Sequence, residues 1–173
     1  DCLNMYHYNG TVEEKLKKWM DRKKYDVVGT GGYAIDFDPI RKIIEFTKNH
    51  KTKPISILGG IMVTTEPEVT FKLLNPDYAV IGEGEDTIIE LINFLKNKKD
   101  ISKVKGIIYR NNSGKIVMTE KRQFIQDIDS LPIPDLEGFE FEKVIENYYC
   151  NQNFMSQIYD FPRIYPIIGS RGC

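Results

Sequence analysis

Three glycine-rich segments, each following a short apolar run, hold the residues best suited to chemistry. Thr30-Gly31-Gly32 follows Tyr25-Asp26-Val27-Val28-Gly29, Gly59-Gly60-Ile61 follows Pro54-Ile55-Ser56-Ile57-Leu58, and Gly82-Glu83-Gly84 follows Tyr78-Ala79-Val80-Ile81. Glycine permits positive φ and lets a ligand approach the backbone with no Cβ in the way. The phosphate-cradle patterns fail: G-x-x-x-x-G-K-S/T is absent, and Gly29-Thr30-Gly31-Gly32 does not complete G-x-G-x-x-G. Glu83 and Glu85 suit the start of a helix as caps but would oppose a diphosphate bound there. A large, mostly neutral ligand rich in amides matches better, because backbone groups and carboxylates hydrogen-bond to amides. The thiols of Cys2, Cys150 and Cys173 are too far apart in sequence for the three or four closely spaced sulfurs that a metal cluster needs.

The elements that must position these loops follow from hydrophobic periodicity. Leu16, Trp19 and Met20 recur at helical spacing in 12–22, and a buried strand is expected at 25–29. A second helix starts near Pro39 with Ile40, Ile43, Ile44 and Phe46 on its apolar face, and the strand 54–58 follows. A third unit runs from Glu66-Pro67-Glu68 through Leu74 into the strand 78–81, and a fourth helix from Glu85 to about Lys96. Strands alternating with helices predict right-handed βαβ units and an α/β fold: a Rossmann-like, flavodoxin-like open parallel sheet with helices on both faces. In such a sheet all carboxyl ends lie on one edge, where ligands bind. The three glycine loops therefore converge there. Asp1-Cys2-Leu3-Asn4-Met5 reads as a further strand, either the tail of a longer one or a short one. Val104–Arg110 and Lys115–Thr119 flank Asn111-Asn112-Ser113-Gly114 as a β-hairpin. From Gln126 the chain is punctuated by proline and rich in aromatics, as expected of a connector, so residues 1–125 are assigned to the sheet domain and 126–173 to the connector.

Composition narrows the function classes. A chain of 173 residues with 41% hydrophobic content accommodates one core plus an appendage. Lys+Arg 24 against Asp+Glu 25 gives a net charge of -1, so no global field attracts nucleic acid or an anionic membrane. The run Lys96-Asn97-Lys98-Lys99 reads as a solvated helix end. An odd number of scattered cysteines argues for a reducing, cytoplasmic setting, and no apolar run reaches the length of a membrane span.

Taken together, Val27-Val28-Gly29-Thr30-Gly31, Ile57-Leu58-Gly59-Gly60 and Asp77-Tyr78-Ala79-Val80-Ile81-Gly82-Glu83-Gly84-Glu85 resemble the cobalamin-binding domain that precedes the catalytic barrel of cobalamin-dependent radical S-adenosylmethionine enzymes. Asp127-Ile128-Asp129-Ser130-Leu131-Pro132-Ile133-Pro134 is similar to that family's connector, and Gly169-Ser170-Arg171-Gly172-Cys173 to the opening of its C-x-x-x-C-x-x-C motif. Within the family the likeness is greatest to the oxygen-independent magnesium-protoporphyrin monomethyl ester cyclase and Fe–S oxidoreductase group. The resemblance implies cobalamin at Thr30, Gly31, Gly32, Gly59, Gly60, Ile61, Gly82, Glu83 and Gly84. In a longer parent it also implies a 4Fe-4S cluster, with Cys173 as its first ligand, and S-adenosylmethionine. This stretch alone is then a module without catalysis of its own.

Cobalamin domains of the methionine-synthase type carry Asp-x-His-x-x-Gly, whose histidine ligates cobalt. Here the two histidines, His7 and His50, fall outside that motif, so the resemblance implies a base-off, His-off site. His50 falls at a lysine-rich helix end and is expected to be solvated; His7 falls near the edge of the sheet. Two other functions remain open at this level: a degenerate domain that binds no corrinoid and serves as a docking surface, and a flavodoxin-like domain for another cofactor. The aromatics between Phe139 and Ile168 should bury against a barrel or, without it, either fold back on the sheet domain or expose an apolar patch that favours self-association.

Overall fold

The computed structural model describes residues 1–97 and 100–146. Lys98, Lys99, Cys150, Cys173 and the aromatics beyond residue 146 lie outside the described residues. The chain groups into two units, Val12–Ser130 and Asp1–Thr11 with the chain from Leu131 onward.

In the first unit, helix α1 (Val12–Met20) leads into β1 (Val27–Gly31), α2 (Phe37–Asn49), β2 (Ile55–Gly59), α3 (Ile61–Thr65), α4 (Pro67–Leu74), β3 (Tyr78–Val80), α5 (Glu85–Asn97), β4 (Ile107–Arg110) and β5 (Ile116–Met118). The five strands form one sheet in the order β1-β2-β3-β4-β5. β1, β2 and β3 pair in parallel, with Gly29 opposite Ile57 and Ile57 opposite Tyr78. β4 and β5 pair antiparallel as the expected hairpin. Gly114, at φ +77°, and the Asn111 side chain make its turn, the Oδ1 atom accepting from the amides of Ser113 and Lys115 at 3.1 and 2.9 Å.

Strand alternation divides the core between two faces. Leu58, Ala79 and Ile108 face one side, where α2, α3 and α4 bring Ile40, Ile44, Met62, Val63, Phe71 and Leu74. Ile57, Val80 and Ile107 face the other, where α5 brings Leu91. Helices thus cover both faces, as the alternating pattern requires. α2 buries Ile40, Ile44 and Thr47, an i, i+4, i+7 stripe. α4 starts with Pro67 at its first turn, where a missing N–H costs nothing, and ends at Asn75 in the left-handed region (φ 50°). At the amino edge, Asp77 Oδ2 accepts from the Ser56 amide at 2.8 Å and its hydroxyl at 2.7 Å, tying the starts of β2 and β3 together.

In the second unit, Asp1–Met5 forms no strand. The chain instead turns through a short 3-10 segment at Met5–His7, with the His7 amide donating to the Asn4 carbonyl at 3.1 Å. Five residues are too few to hold a strand against this local closure. The Leu-Pro-Ile-Pro-Asp stretch ends in a turn in which Asp135 Oδ1 accepts from the Gly138 amide at 2.8 Å, and α6 (Phe141–Glu146) follows.

Candidate functional site

Parallel pairing of β1, β2 and β3 brings the three glycine loops to one edge, and backbone contacts lock them together. The Met62 amide donates to the Gly32 carbonyl at 3.3 Å. A Cβ on Gly60, whose φ is +87°, would lie 2.8 Å from the Gly32 nitrogen, and one on Gly31 would lie 2.6 Å from the Gly59 oxygen. Gly32 abuts the Asp36 carboxylate, which accepts from the Tyr33 amide at 2.9 Å and shapes the turn into α2. Packing therefore explains the glycines at 31, 32 and 60.

It does not explain the others. A Cβ on Gly29 or Gly59 would meet nothing within 4 Å, and neither would one on Gly82, where a φ of +80° itself calls for glycine. Register places Gly29, Gly31 and Gly59 on the same face of the sheet as Ile57, the face α5 covers over β3 and β4. The result is a floor of bare backbone at the carboxyl ends of β1 and β2, bordered by Val27, Ile55 and Ile57. Gly29 escaped the motif-based reading because it sits inside a strand. A glycine within a strand is nonetheless a known mark of close approach by a ligand or another backbone. Thr30 belongs to the opposite face, paired with Leu58. Ile61 starts α3 rather than extending a loop, and it is 48% exposed. With Tyr33 (69%) and Ile35 (89%) it lends the edge an apolar rim.

Thr64 is a residue that motif reading missed altogether. Its hydroxyl donates to the Gly60 carbonyl at 2.9 Å and accepts from the Gly82 amide at 3.0 Å, bridging the second and third loops. No sequence signal distinguishes it, since it lies in a short helix that periodicity did not reveal. Glu83 extends the chain of contacts: its Oε2 accepts from the Ile125 amide at 2.6 Å. The segments 30–36, 59–66 and 82–86 carry Asp36, Glu66, Glu83, Glu85 and Asp86 and no basic residue. The edge therefore disfavours a diphosphate, with its concentrated charge, and offers acceptors to amide donors. On the floor's face, burial and then the charge of Asp77 push the Tyr78 phenol up, which keeps it neutral. A cavity of about 450 Å³ beside α5 is lined by Asp86, Glu90, Lys103, Lys105, Arg122 and Phe124 among others, and it borders the third loop segment at Asp86.

His50 is not solvated: its side chain is 7% exposed. Its Nδ1 accepts from the Thr52 amide at 3.3 Å and its ring lies 5.9 Å from that of Phe46, at the end of α2 and thus at the amino edge of the sheet. Burial there leaves it unable to serve the glycine loops. His7 belongs to the other unit.

The family model described as the B12 binding domain matches residues 4–92. This chain belongs to the B12-binding domain family. An uncharacterised methyltransferase of Pyrococcus horikoshii is 30% identical over 70% of this chain and 27% of its own length. The anaerobic magnesium-protoporphyrin IX monomethyl ester cyclase of Rubrivivax gelatinosus is 28% identical over 90% of this chain and 28% of its own. The B12-binding domain described here thus spans little more than a quarter of those proteins' length. Two solved structures share its fold. The cobalamin-dependent S-adenosylmethionine radical enzyme OxsB, with aqua-cobalamin bound, superposes at a TM-score of 0.59 with 24% identity, over 77% of this chain and 19% of that one. The radical S-adenosylmethionine methyltransferase TsrM from Kitasatospora setae, with cobalamin and a 4Fe-4S cluster bound, superposes at 0.55 with 20% identity, over 71% and 23%. The resemblance carried by the glycine loops and Gly-Glu-Gly-Glu is therefore family membership, and the Rossmann-like sheet is the fold of its structural neighbours. Among the described residues, no helix is long and apolar enough to cross a membrane.

Proposed function

We propose that this domain binds cobalamin base-off and His-off at the carboxyl edge of its sheet and presents it to a radical S-adenosylmethionine barrel of the same polypeptide. One observation carries the proposal: Gly29 and Gly59 leave space that a side chain would fill, on a sheet face next to α5, without any packing need for glycine. A flat nucleotide tail fits such a floor, and the surrounding apolar side chains Val27, Ile55 and Ile57 exclude water from it. The loop carboxylates and carbonyls are acceptors for corrin amides.

The His-off mode is supported by His50, which is buried at the opposite edge with Nδ1 already accepting a hydrogen bond. When bound, cobalamin supplies a cobalt centre able to carry a methyl group or take part in one-electron chemistry, while the protein supplies binding and orientation. The rim of Tyr33, Ile35 and Ile61 offers the barrel an apolar contact at the same edge. On this reading Cys173, outside the described residues, is the first thiolate of a cluster that the barrel completes and at which S-adenosylmethionine binds. The parent is then a methyltransferase or an oxidative cyclase of the cytoplasm.

Anaerobic reconstitution of the 173-residue chain with hydroxocobalamin, followed by desalting and absorption spectroscopy, tests the central claim. Corrinoid bands retained near one equivalent, with the base-off spectrum, are expected. Complete loss of corrinoid on desalting would leave the domain a docking surface.

A further inference from the structure

The Gly82-Glu83-Gly84 loop has anchors on two sides. The Gly82 amide, at φ +80°, is held by Thr64, and the Glu83 carboxylate is held by the amide of Ile125 at 2.6 Å. With glycine on both sides of it, Glu83 sits in a backbone that has little conformational preference of its own. Its side-chain tether therefore fixes the loop. The other end of that tether is the chain leaving β5, which returns along α5 through a series of specific contacts. The Gly106 amide donates to the Glu120 carbonyl at 2.8 Å, and Lys105 pairs with the Glu120 carboxylate at 2.9 Å. Arg122, 17% exposed at its side chain, donates from Nε to the buried Thr87 hydroxyl at 2.8 Å and pairs with Glu90. Residues 119–126 are thus strapped to the α5 flank, and Glu83 joins the strap to the glycine edge.

We infer that Glu83 is a positioning residue that couples this strap to the glycine edge, so that a ligand seated on the edge and the order of residues 119–126 reinforce each other. The inference rests on the corrinoid reading for the identity of that ligand. A ligand that requires the loop in its tethered arrangement must, by linkage, strengthen the tether on binding. Thr64 already joins the second and third loops, so the Gly60 carbonyl is linked to Ile125 through the Thr64 hydroxyl, the Gly82-Glu83 backbone and the Glu83 carboxylate. The strap leads directly into the Asp127-Ile128-Asp129-Ser130 turn and the chain beyond. Cofactor occupancy would in this way set the position from which the following segment departs.

The strap contains Lys121 and Arg122, so trypsin reports on it directly. Cleavage after these residues, followed by mass spectrometry on the 173-residue chain, is compared for the wild type, Glu83→Ala and Glu83→Gln, with circular dichroism to confirm folding. Glu83→Ala should raise the cleavage rate about tenfold, the loss expected for one charge-assisted hydrogen bond, while Glu83→Gln, whose amide oxygen still accepts from Ile125, stays within about twofold. At equal bound corrinoid, judged by absorption, hydroxocobalamin should slow cleavage of the wild type and Glu83→Gln but not of Glu83→Ala, a difference that neither a merely structural role nor loss of the ligand would produce. Equal cleavage of Glu83→Ala and wild type, or equal protection of both by hydroxocobalamin, overturns the inference. Where the wild type retains no corrinoid, the proposed function falls, and the tether stands or falls on the cleavage comparison alone. Where Glu83→Ala does not fold, amide exchange at Ile125 in the wild type decides: slowing by hydroxocobalamin supports the coupling, and an unchanged rate overturns it.

Discussion

A Cβ on Gly60 would press on the amide nitrogen of Gly32 at 2.8 Å from a backbone already at φ +87°, whereas a Cβ on Gly59 would meet nothing within 4 Å. Adjacent glycines thus serve different ends, loop packing at 60 and open space at 59. Gly60→Ala should lower the unfolding free energy of the apo domain by about 1–3 kcal/mol, read from a urea titration. Gly59→Leu should change it by less than about 0.5 kcal/mol yet abolish corrinoid retention. Full retention in Gly59→Leu would remove the floor from the site. At the opposite edge, hydrogen bonds from Lys17 and Lys51 hold the Asp21 carboxyl down at about 2, below its ordinary 3.8. A carboxyl depressed by folding stabilises the folded state above its unfolded pKa and loses that contribution as pH falls through the folded one. Asp21→Asn should therefore lower Tm at pH 7, with the difference shrinking below pH 3.8 and gone below about 2. A difference independent of pH would show that these ion pairs contribute nothing.

The elements act through the way their ends are joined. Parallel pairing places three loops side by side, but Thr64 in the single-turn α3 connects the second loop to the third. Thr64→Val keeps the shape and removes both hydrogen bonds, for an expected loss of about 1 kcal/mol. The Gly82 amide should then exchange faster in hydrogen–deuterium measurements, while amides of β2 are unaffected. Unchanged protection at Gly82 would mean that Thr64 does not hold the third loop. Phe71 of α4 shares a core with Leu58 of β2 and Ile108 of β4, each fully buried, so helix and strands together form the base for the loops.

At the scale of the molecule, the domain covers 27% and 28% of the relatives it matches in Pyrococcus horikoshii and Rubrivivax gelatinosus. Its partner in those proteins' remaining length is proposed here as a barrel. Phe139 is 50% exposed, and further aromatics follow it in sequence. Without a barrel to cover them, they should drive association of the isolated chain. Light scattering is expected to give a mass above the 20.1 kDa of one chain, with rapid proteolysis after residue 139. A monodisperse monomer with a protease-resistant tail would show that the aromatics pack within the chain itself.

Apolar runs of five or so residues, separated by amphipathic stretches and closed by glycine, located β1, β2, β3 and their helices, because strand and helix periods are written directly in side-chain order. The Asn-Asn-Ser-Gly turn located the hairpin for the same local reason. The short helix at Ile61–Thr65 and the turn at Met5–His7 were not legible, since elements of one turn carry too few residues to show a period. Which glycines pack and which stand open was also beyond the sequence. That distinction depends on how closely two loops approach across the sheet, and Gly59 and Gly60 look alike until Gly32 is placed beside one of them. Likewise Glu83 reads locally as a helix cap, and only tertiary structure brings Ile125, 42 residues later, to its carboxylate. Local order along the chain determined the elements and the loops between them; long-range packing decided which loop residues face a ligand and which hold the loops in place.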